Sequence, residues 1–491
     1  MAAYILGIDQ STQGTKALLF DETGQLLCRA DRPHRQLIDE RGWVEHDPEE
    51  IFRNTLEVVR AVVEKAGVDP GRLQAVGISN QRETAMIWDR STGRPVYNAV
   101  VWQCSRGAAI CRELQEHAEI IRAHTGLQLS PYFSAAKLAW ILQNVPGANE
   151  QAARGGLCCG TMDSWLIYRL TGGSVHRTDY SNASRTQLMD IRNLCWDPEL
   201  CKLFGVPLNT LPVITDSDGF YGETDFGGFL PRPIPIHGVL GDSHGALLGQ
   251  GCLERGMIKA TYGTGSSVMM NIGETAVYSS HVVTSLAWSL SGTVNYVLEG
   301  NINYTGAVIS WLKDELHLID TPDETQRLAL AANPRDTAYL VPAFTGLGAP
   351  YWDSSARAAF VGMSRTTGRA ELAKAALESI AYQIHDVVDT MQRESGIPIA
   401  QLRVDGGPTQ NSYLMQFQSD ICAIPVCIPP DEELSGIGAA YAAGLGCGIY
   451  HRETLFSRGS WTTYRPIMDQ SVRSEKCRGW RTAVASILTN R

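Results

Sequence analysis

The chain has 491 residues, a length that predicts two or three domains with sizeable cores. With 44% hydrophobic and 19% charged residues it is neither disordered nor fibrous, and a net charge of −10 argues against a general grip on a nucleic-acid backbone. Glycine, at 47 residues, points to many tight turns and close backbone approaches.

The N-terminus, MAAYILGIDQSTQGTK, has no basic leader and meets Asp9 too early for a secretory signal. Tyr4–Ile8 and Ala17–Phe20 read as strands of a hairpin that carries Asp9, Ser11, Thr12, Gly14, Thr15 and Lys16 in its bend. Leu73–Ser79 reads as a buried strand ending in Asn80-Gln81-Arg82-Glu83. Arg82 and Glu83 set a donor fork beside an acceptor, which suits adjacent hydroxyls of a polyol or, without other context, a surface ion pair. Trp102 and Tyr132 offer an apolar wall and a phenolic donor, or core aromatics.

Gly241-Asp242-Ser243-His244-Gly245 matches G-x-S-x-G between a strand-like Ile234–Leu240 and a helix-like Ala246–Gln250, the setting of a hydrolase nucleophile at Ser243. Its base would have to be His385 or His451, and neither lies in a matching segment. The same residues read differently with Asp242 as the working group. A carboxylate at a strand end can take the proton from an alcohol that attacks phosphorus.

Ile258–Tyr262, then Gly263-Thr264-Gly265-Ser266-Ser267, then Val268–Met270 repeat the opening grammar of strand, Gly/Thr/Ser turn, strand. Two such hairpins half a chain apart predict an internal duplication, with domains 1–253 and 254–491. Leu372, Ala373, Ala376, Leu377, Ile380, Ile384, Val387, Val388 and Met391 mark an amphipathic helix stopped by Gly396 and Pro398. A strand at Leu402–Val404, the turn Asp405-Gly406-Gly407-Pro408 and a helix from about Asn411 follow. Leu434–Tyr450 is uncharged and dense in Gly and Ala, just short of a membrane span, and reads as a packed internal helix. Twelve cysteines without CxxC pairs indicate neither a disulfide framework nor a zinc cluster, and fit a reducing cytoplasm. There is no GxxxxGK[ST] or GxGxxG; instead the turns Asp9–Thr15, Gly263–Ser267 and Asp405–Gly407 suggest a nucleotide clamped between two halves.

Several longer stretches are specific: Asp9-Gln10-Ser11-Thr12, Asn80-Gln81-Arg82-Glu83-Thr84, Ser130-Pro131-Tyr132-Phe133-Ser134, Thr178-Asp179-Tyr180, Thr261-Tyr262-Gly263-Thr264-Gly265, Tyr351-Trp352-Asp353 and Arg403-Val404-Asp405-Gly406-Gly407. On these the chain resembles the FGGY carbohydrate kinases along almost its whole length. The resemblance implies an α/β fold of two actin-like ATPase (ribonuclease H-like) domains with a nucleotide and substrate cleft between them. It implies transfer of a phosphoryl group from ATP, with Mg²⁺, to a terminal hydroxyl of a small polyol, glycerol first, in a homodimer or homotetramer that binds no nucleic acid and does not insert in membranes.

By the same resemblance Asp9 serves the Mg²⁺ region, and Thr12, Lys16 and Thr264 the phosphates. Gly306, Ser310, Gly407 and Asn411 border the nucleotide, while Arg82, Glu83, Trp102, Tyr132 and Asp242 meet the polyol, with Asp242 as general base. Ser243 stands where glycerol-phosphorylating members carry Gln, Ser267 where they carry Phe, and Ser310 where Gln is usual. The first two changes remove bulk from the substrate pocket and imply a longer polyol or a ketose as the alternative substrate. Gly219-Phe220-Tyr221-Gly222 lacks the histidine of the family's regulatory His-Phe-Tyr-Gly segment, so activation by histidine phosphorylation is not expected.

Overall fold

The computed structural model describes residues 3–456 and 460–489. β1 (Tyr4–Gln10) and β2 (Gly14–Phe20) pair antiparallel, from Ile5 opposite Phe20 to Gln10 opposite Thr15. β3 (Leu26–Pro33) extends the sheet beyond β2, and β4 (Leu73–Asn80) runs parallel to β1 as far as Gln10 opposite Asn80. That second neighbour holds β1 extended past its apolar residues. Asp9 and Lys16 therefore face each other within the ladder, and the bend expected to carry them shrinks to Ser11–Gln13.

Between β3 and β4, α1 (Pro48–Ala66) starts where the Asp47 side chain accepts from the Glu49 N–H, with Pro48 in the first turn. Its buried Ile51, Val58, Val59, Val62 and Val63 face Leu6, Ile8 and Leu19 of the sheet. β5 (Glu223–Thr224) and β6 (Ile234–Gly241) complete the order β5-β6-β4-β1-β2-β3, with β6 parallel to β4. α2 (Asp242–Gly249) leaves β6 directly, four residues earlier than the apolar pattern suggested, because a carboxylate suits a first helical turn.

The second half repeats this plan. β7 (Ile258–Tyr262) and β8 (Ser266–Gly273) form the antiparallel hairpin, β9 (Val283–Leu290) and β10 (Thr293–Ile302) extend it, and α3 (Gly306–Asp314) and α4 (Arg369–Ser395) follow. β11 (Leu402–Asp405) lies parallel to β7, α5 (Ser412–Cys422) crosses over, and β12 (Val426–Ile428) pairs parallel to β11. With β13 (Thr462–Tyr464) antiparallel at the edge, the order is β9-β10-β8-β7-β11-β12-β13. Hairpin, parallel neighbour, second parallel neighbour and antiparallel edge recur in the same spatial order as in the first sheet, which is the duplication expected from the two turns. Leu377, Ile380, Ile384, Val387 and Met391 of α4 pack on Ile258, Val268, Leu298 and Val404, and Gly396 closes the helix at φ 65°.

The sequence pattern gave no sign of a third, five-stranded sheet inside the first half, built from Leu37–Ile38, Val44–His46, Ala99–Val100, Ala85–Asp89 and Leu157–Thr161. Its strands are two to five residues long, too short to show a period. It anchors the segments that bring Trp102 and Tyr132 to the cleft.

Every strand of the first large sheet precedes residue 254 and every strand of the second follows it. α6 (Leu434–Gly446) does not keep to that division: it lies on the first sheet, where Leu434, Ile437, Ala440 and Ala443 join Ile5, Leu18, Phe20 and Ala75 in one core. The approach is backbone to backbone. A Cβ on Gly77 would lie 2.1 Å from the Ala439 carbonyl oxygen, and one on Gly438 would lie 1.9 Å from that of Gly245. Among the described residues no helix is long and apolar enough to cross a membrane. Gly77→Ala is therefore expected to destabilise the fold by about 1–3 kcal/mol or more in chemical denaturation, since neither backbone can yield cheaply.

Candidate active site

Strand ends from both halves open on one cavity of about 780 Å³. From the first half Ser11, Thr12, Arg82, Glu83, Trp102, Tyr132, Asp242 and Ser243 line it; from the second, Thr264, Ser267, Asn301 and Asn303. Asp242 sits in the first turn of α2, where the helix dipole favours negative charge. The backbone before it is fixed by side chains: the Gly241 N–H donates to Ser181 Oγ at 2.9 Å, and Ser181 donates to the buried Asp179 carboxylate at 3.0 Å.

The cavity is floored by alternating buried charges. Arg82 donates from Nη1 and Nη2 to the two oxygens of Glu299, at 3.0 and 2.8 Å, while its Nε lies 3.2 Å from Asp242 Oδ1. Arg185 pairs through Nη1 with Glu299 at 2.7 Å and donates from Nε to Glu83 at 2.6 Å. Burial opposes ionisation of Glu299, but Arg185 and Arg82 outweigh it and hold its pKa well below the usual range. At Glu83 burial prevails over the same arginines and raises the pKa. The surface ion pair considered for Arg82 and Glu83 is not what forms. Both are buried, and Glu83 takes φ 59°, a strained value for a glutamate that sends the adjacent side chains to different partners.

The apolar wall is equally fixed. Trp102 donates from Nε1 to Thr12 Oγ1 at 3.0 Å, and its ring meets that of Tyr132 edge-on with centroids 5.4 Å apart. Buried Lys137 gathers the carbonyls of Pro131, Tyr132 and Phe133, which pins the Tyr132 segment, and burial brings its pKa down to about 7. Ser267 turns its hydroxyl towards Glu299 Oε1 at 3.3 Å.

Asp9 is buried at the end of β1 with Oδ1 unpartnered among the described residues, and its pKa rises to about 6, through burial first, offset by Lys16 and reinforced by Asp242 and Glu433. The second turn is tied to α3: Gly306 N–H donates to Gly263 O at 2.9 Å and Ala307 N–H to Thr264 O at 3.1 Å. Lys16, expected among the phosphate ligands, stands opposite Asp9 in the ladder and donates to Glu433 at 2.6 Å; neither Asp9 nor Lys16 lines the cavity. Gly306, Ser310, Gly407 and Asn411 do not line the cavity. Ser310 is exposed on α3, and Asn411 caps α5 by accepting from the Leu414 N–H at 3.0 Å. Asp405, in the third turn, is a buried anchor that accepts from Thr261 at 2.8 Å and Gln250 at 2.7 Å.

The G-x-S-x-G match does not build a hydrolase. Ser243 lies inside α2 without the positive φ of a nucleophile turn, and both nitrogens of buried His244 lack hydrogen-bond partners among the described residues. Glu299 was not singled out from the sequence, and Asp179, with Ser181 and Arg185 just after it, carried the resemblance without being given a role. The one local signal for Glu299 was a lone charge in the apolar run Tyr296-Val297-Leu298-Glu299-Gly300.

Two family models match the chain: the N-terminal domain of the FGGY family of carbohydrate kinases over residues 4–249 and its C-terminal domain over 258–447. Glycerol kinase 1 of Thermotoga maritima is 49% identical over 494 residues, covering 99% of this chain and 100% of its own. The crystal structure of Plasmodium falciparum glycerol kinase with ADP superposes with a TM-score of 0.93 at 35% identity, covering 100% of this chain and 99% of that one. The gluconate kinase of Lactobacillus acidophilus shares the fold, with a TM-score of 0.90 at 20% identity over 100% of this chain and 99% of its own. Arg185→Met should cost about 3–5 kcal/mol in denaturant unfolding, because it strands Glu83 and half of the Glu299 pairing in the interior.

Proposed function

The chain belongs to the FGGY family of carbohydrate kinases, and from that premise we propose that it phosphorylates a terminal hydroxyl of glycerol with ATP, giving glycerol 3-phosphate. Relatives named glycerol kinase at 44–49% identity over full length support this substrate. The observation that carries the chemistry is the placement of Asp242, beside Arg82, in a cavity lined by Thr12 of one half and Thr264 of the other.

Asp242 takes the proton of the attacking hydroxyl as its oxygen bonds to the γ-phosphorus and the bond to the β,γ-bridging oxygen breaks, releasing ADP. Arg82, Glu83 and Tyr132 hold the polyol hydroxyls, and Trp102 lies along the carbon chain. Thr12, Thr264 and the amides of their turns receive the phosphates, as acceptors that must be approached by backbone donors. Gly306, Ser310, Gly407 and Asn411 belong to the adenosine side, reached once the nucleotide extends beyond the cavity. An orphaned, buried carboxylate oxygen at Asp9 fits a hard cation. Mg²⁺ held there would neutralise phosphate charge. Closure of the two halves would keep water, a smaller acceptor, from the same phosphoryl group. Twelve unpaired cysteines favour a reducing, cytoplasmic setting.

A second reading, a longer polyol or ketose, is favoured by one observation: Ser243 and Ser267 present small hydroxyl-bearing side chains to the cavity. Comparing kcat/KM for glycerol with four- and five-carbon polyols and ketoses decides between the two, and glycerol is expected to lead. Asp242→Asn should lower kcat by about 10²–10⁴-fold while Ser243→Ala stays mild; the reverse ranking would reject the base assignment. A Cβ on Gly407 meets nothing within 4 Å, so Gly407→Ala should leave stability within about 0.5 kcal/mol and raise the KM for ATP. An unchanged KM would remove Gly407 from the nucleotide site.

A further inference from the structure

Building on the kinase reading, we propose that Glu299 is a positioning residue for phosphoryl transfer: it fixes the guanidinium of Arg82 so that Asp242 stays open to the reacting hydroxyl. A guanidinium closes on a carboxylate through two parallel N–H bonds wherever geometry allows. Beside Arg82 there are two candidates. Glu299 takes both terminal nitrogens, at 3.0 and 2.8 Å, and only Nε is left to face Asp242, at 3.2 Å from Oδ1. Among the described residues no donor hydrogen-bonds Asp242 Oδ2, which leaves that oxygen for a substrate proton. Without the charge of Glu299, the fork would swing to Asp242 and cover both of its oxygens.

Glu299 cannot drift to meet Arg82 elsewhere. Arg185 holds its second oxygen at 2.7 Å, Ser267 approaches its first at 3.3 Å, and the side chain is wholly buried. It also comes from β10, in the second half, whereas Arg82, Arg185 and Asp242 belong to the first. The orientation of Arg82 is therefore set only when the two halves are docked.

Glu299→Gln keeps the volume and one acceptor but removes the charge. Per active site, kcat with glycerol should fall about 10²-fold and the KM for glycerol should rise, with the KM for ATP unchanged. In an Arg82→Lys background, where the fork is gone, the same substitution should change kcat/KM by no more than about twofold. Glu299→Asp retains the charge on a shorter stem and should recover part of the loss; it carries the same coupling test if the Gln variant does not fold. Additive losses in the double variant, or a KM for ATP that rises together with that for glycerol, would overturn the proposal. The wild type assayed in parallel separates the two levels: no ATP-dependent product from any polyol rejects the kinase reading itself, and with it this role.

Discussion

Glu299 is a carboxylate removed from water and kept ionised by two arginines that belong to the other half of the molecule. Desolvating such charges costs several kcal/mol each, and only close pairing with hydrogen bonds offsets it. The run Asp242, Arg82, Glu299, Arg185, Glu83 meets that condition by alternating sign along the whole cavity floor. Local structure follows from it. β4 must end where Arg82 can reach β10, Glu83 must accept a left-handed backbone to reach Arg185, and the two large sheets must meet with their strand ends facing the same cavity. At the open end of that floor Asp242 is held through one oxygen, by Arg82 and by the Ser243 N–H.

The upper part of the site is built differently. Net charge is −10, and the cavity walls near the two hairpins are hydroxyls and glycines rather than lysines. Hairpin-turn backbone and the threonines Thr12, Thr261 and Thr264 line that part, while Lys16 donates to Glu433. Charge is concentrated on the floor around Arg82 and Asp242 and is sparse near the two hairpin turns. That division suits a transfer enzyme better than a tight phosphate binder.

The hairpins, α4, α6 and the strand-end position of Asp242 were legible because each rests on local information: turn chemistry, helical period or a polar residue closing an apolar run. The partners of these residues were not legible, because Arg82 and Glu299 lie 217 residues apart and Lys16 and Glu433 417 apart. Of the two readings of Arg82 and Glu83, the surface ion pair does not form, because a single positive φ separates two buried side chains that the sequence sets together. The strand position of Lys16 was not legible for the converse reason. A parallel neighbour lengthened the strands, so that Lys16 stands in the ladder opposite Asp9 rather than in the bend. The duplicated plan came through at the level of strand order, while the short third sheet had no period to read.

α6 has a consequence for how the chain is made. The face of the first sheet formed by Ile5, Leu18, Phe20 and Ala75 is covered by residues 434–446, which a ribosome supplies only when nearly nine-tenths of the protein has been synthesised. Until then a nascent chain carries an apolar sheet with a glycine-lined trough and nothing to fill it. Covering of that face of the N-terminal sheet is thus coupled to synthesis of residues 434–446.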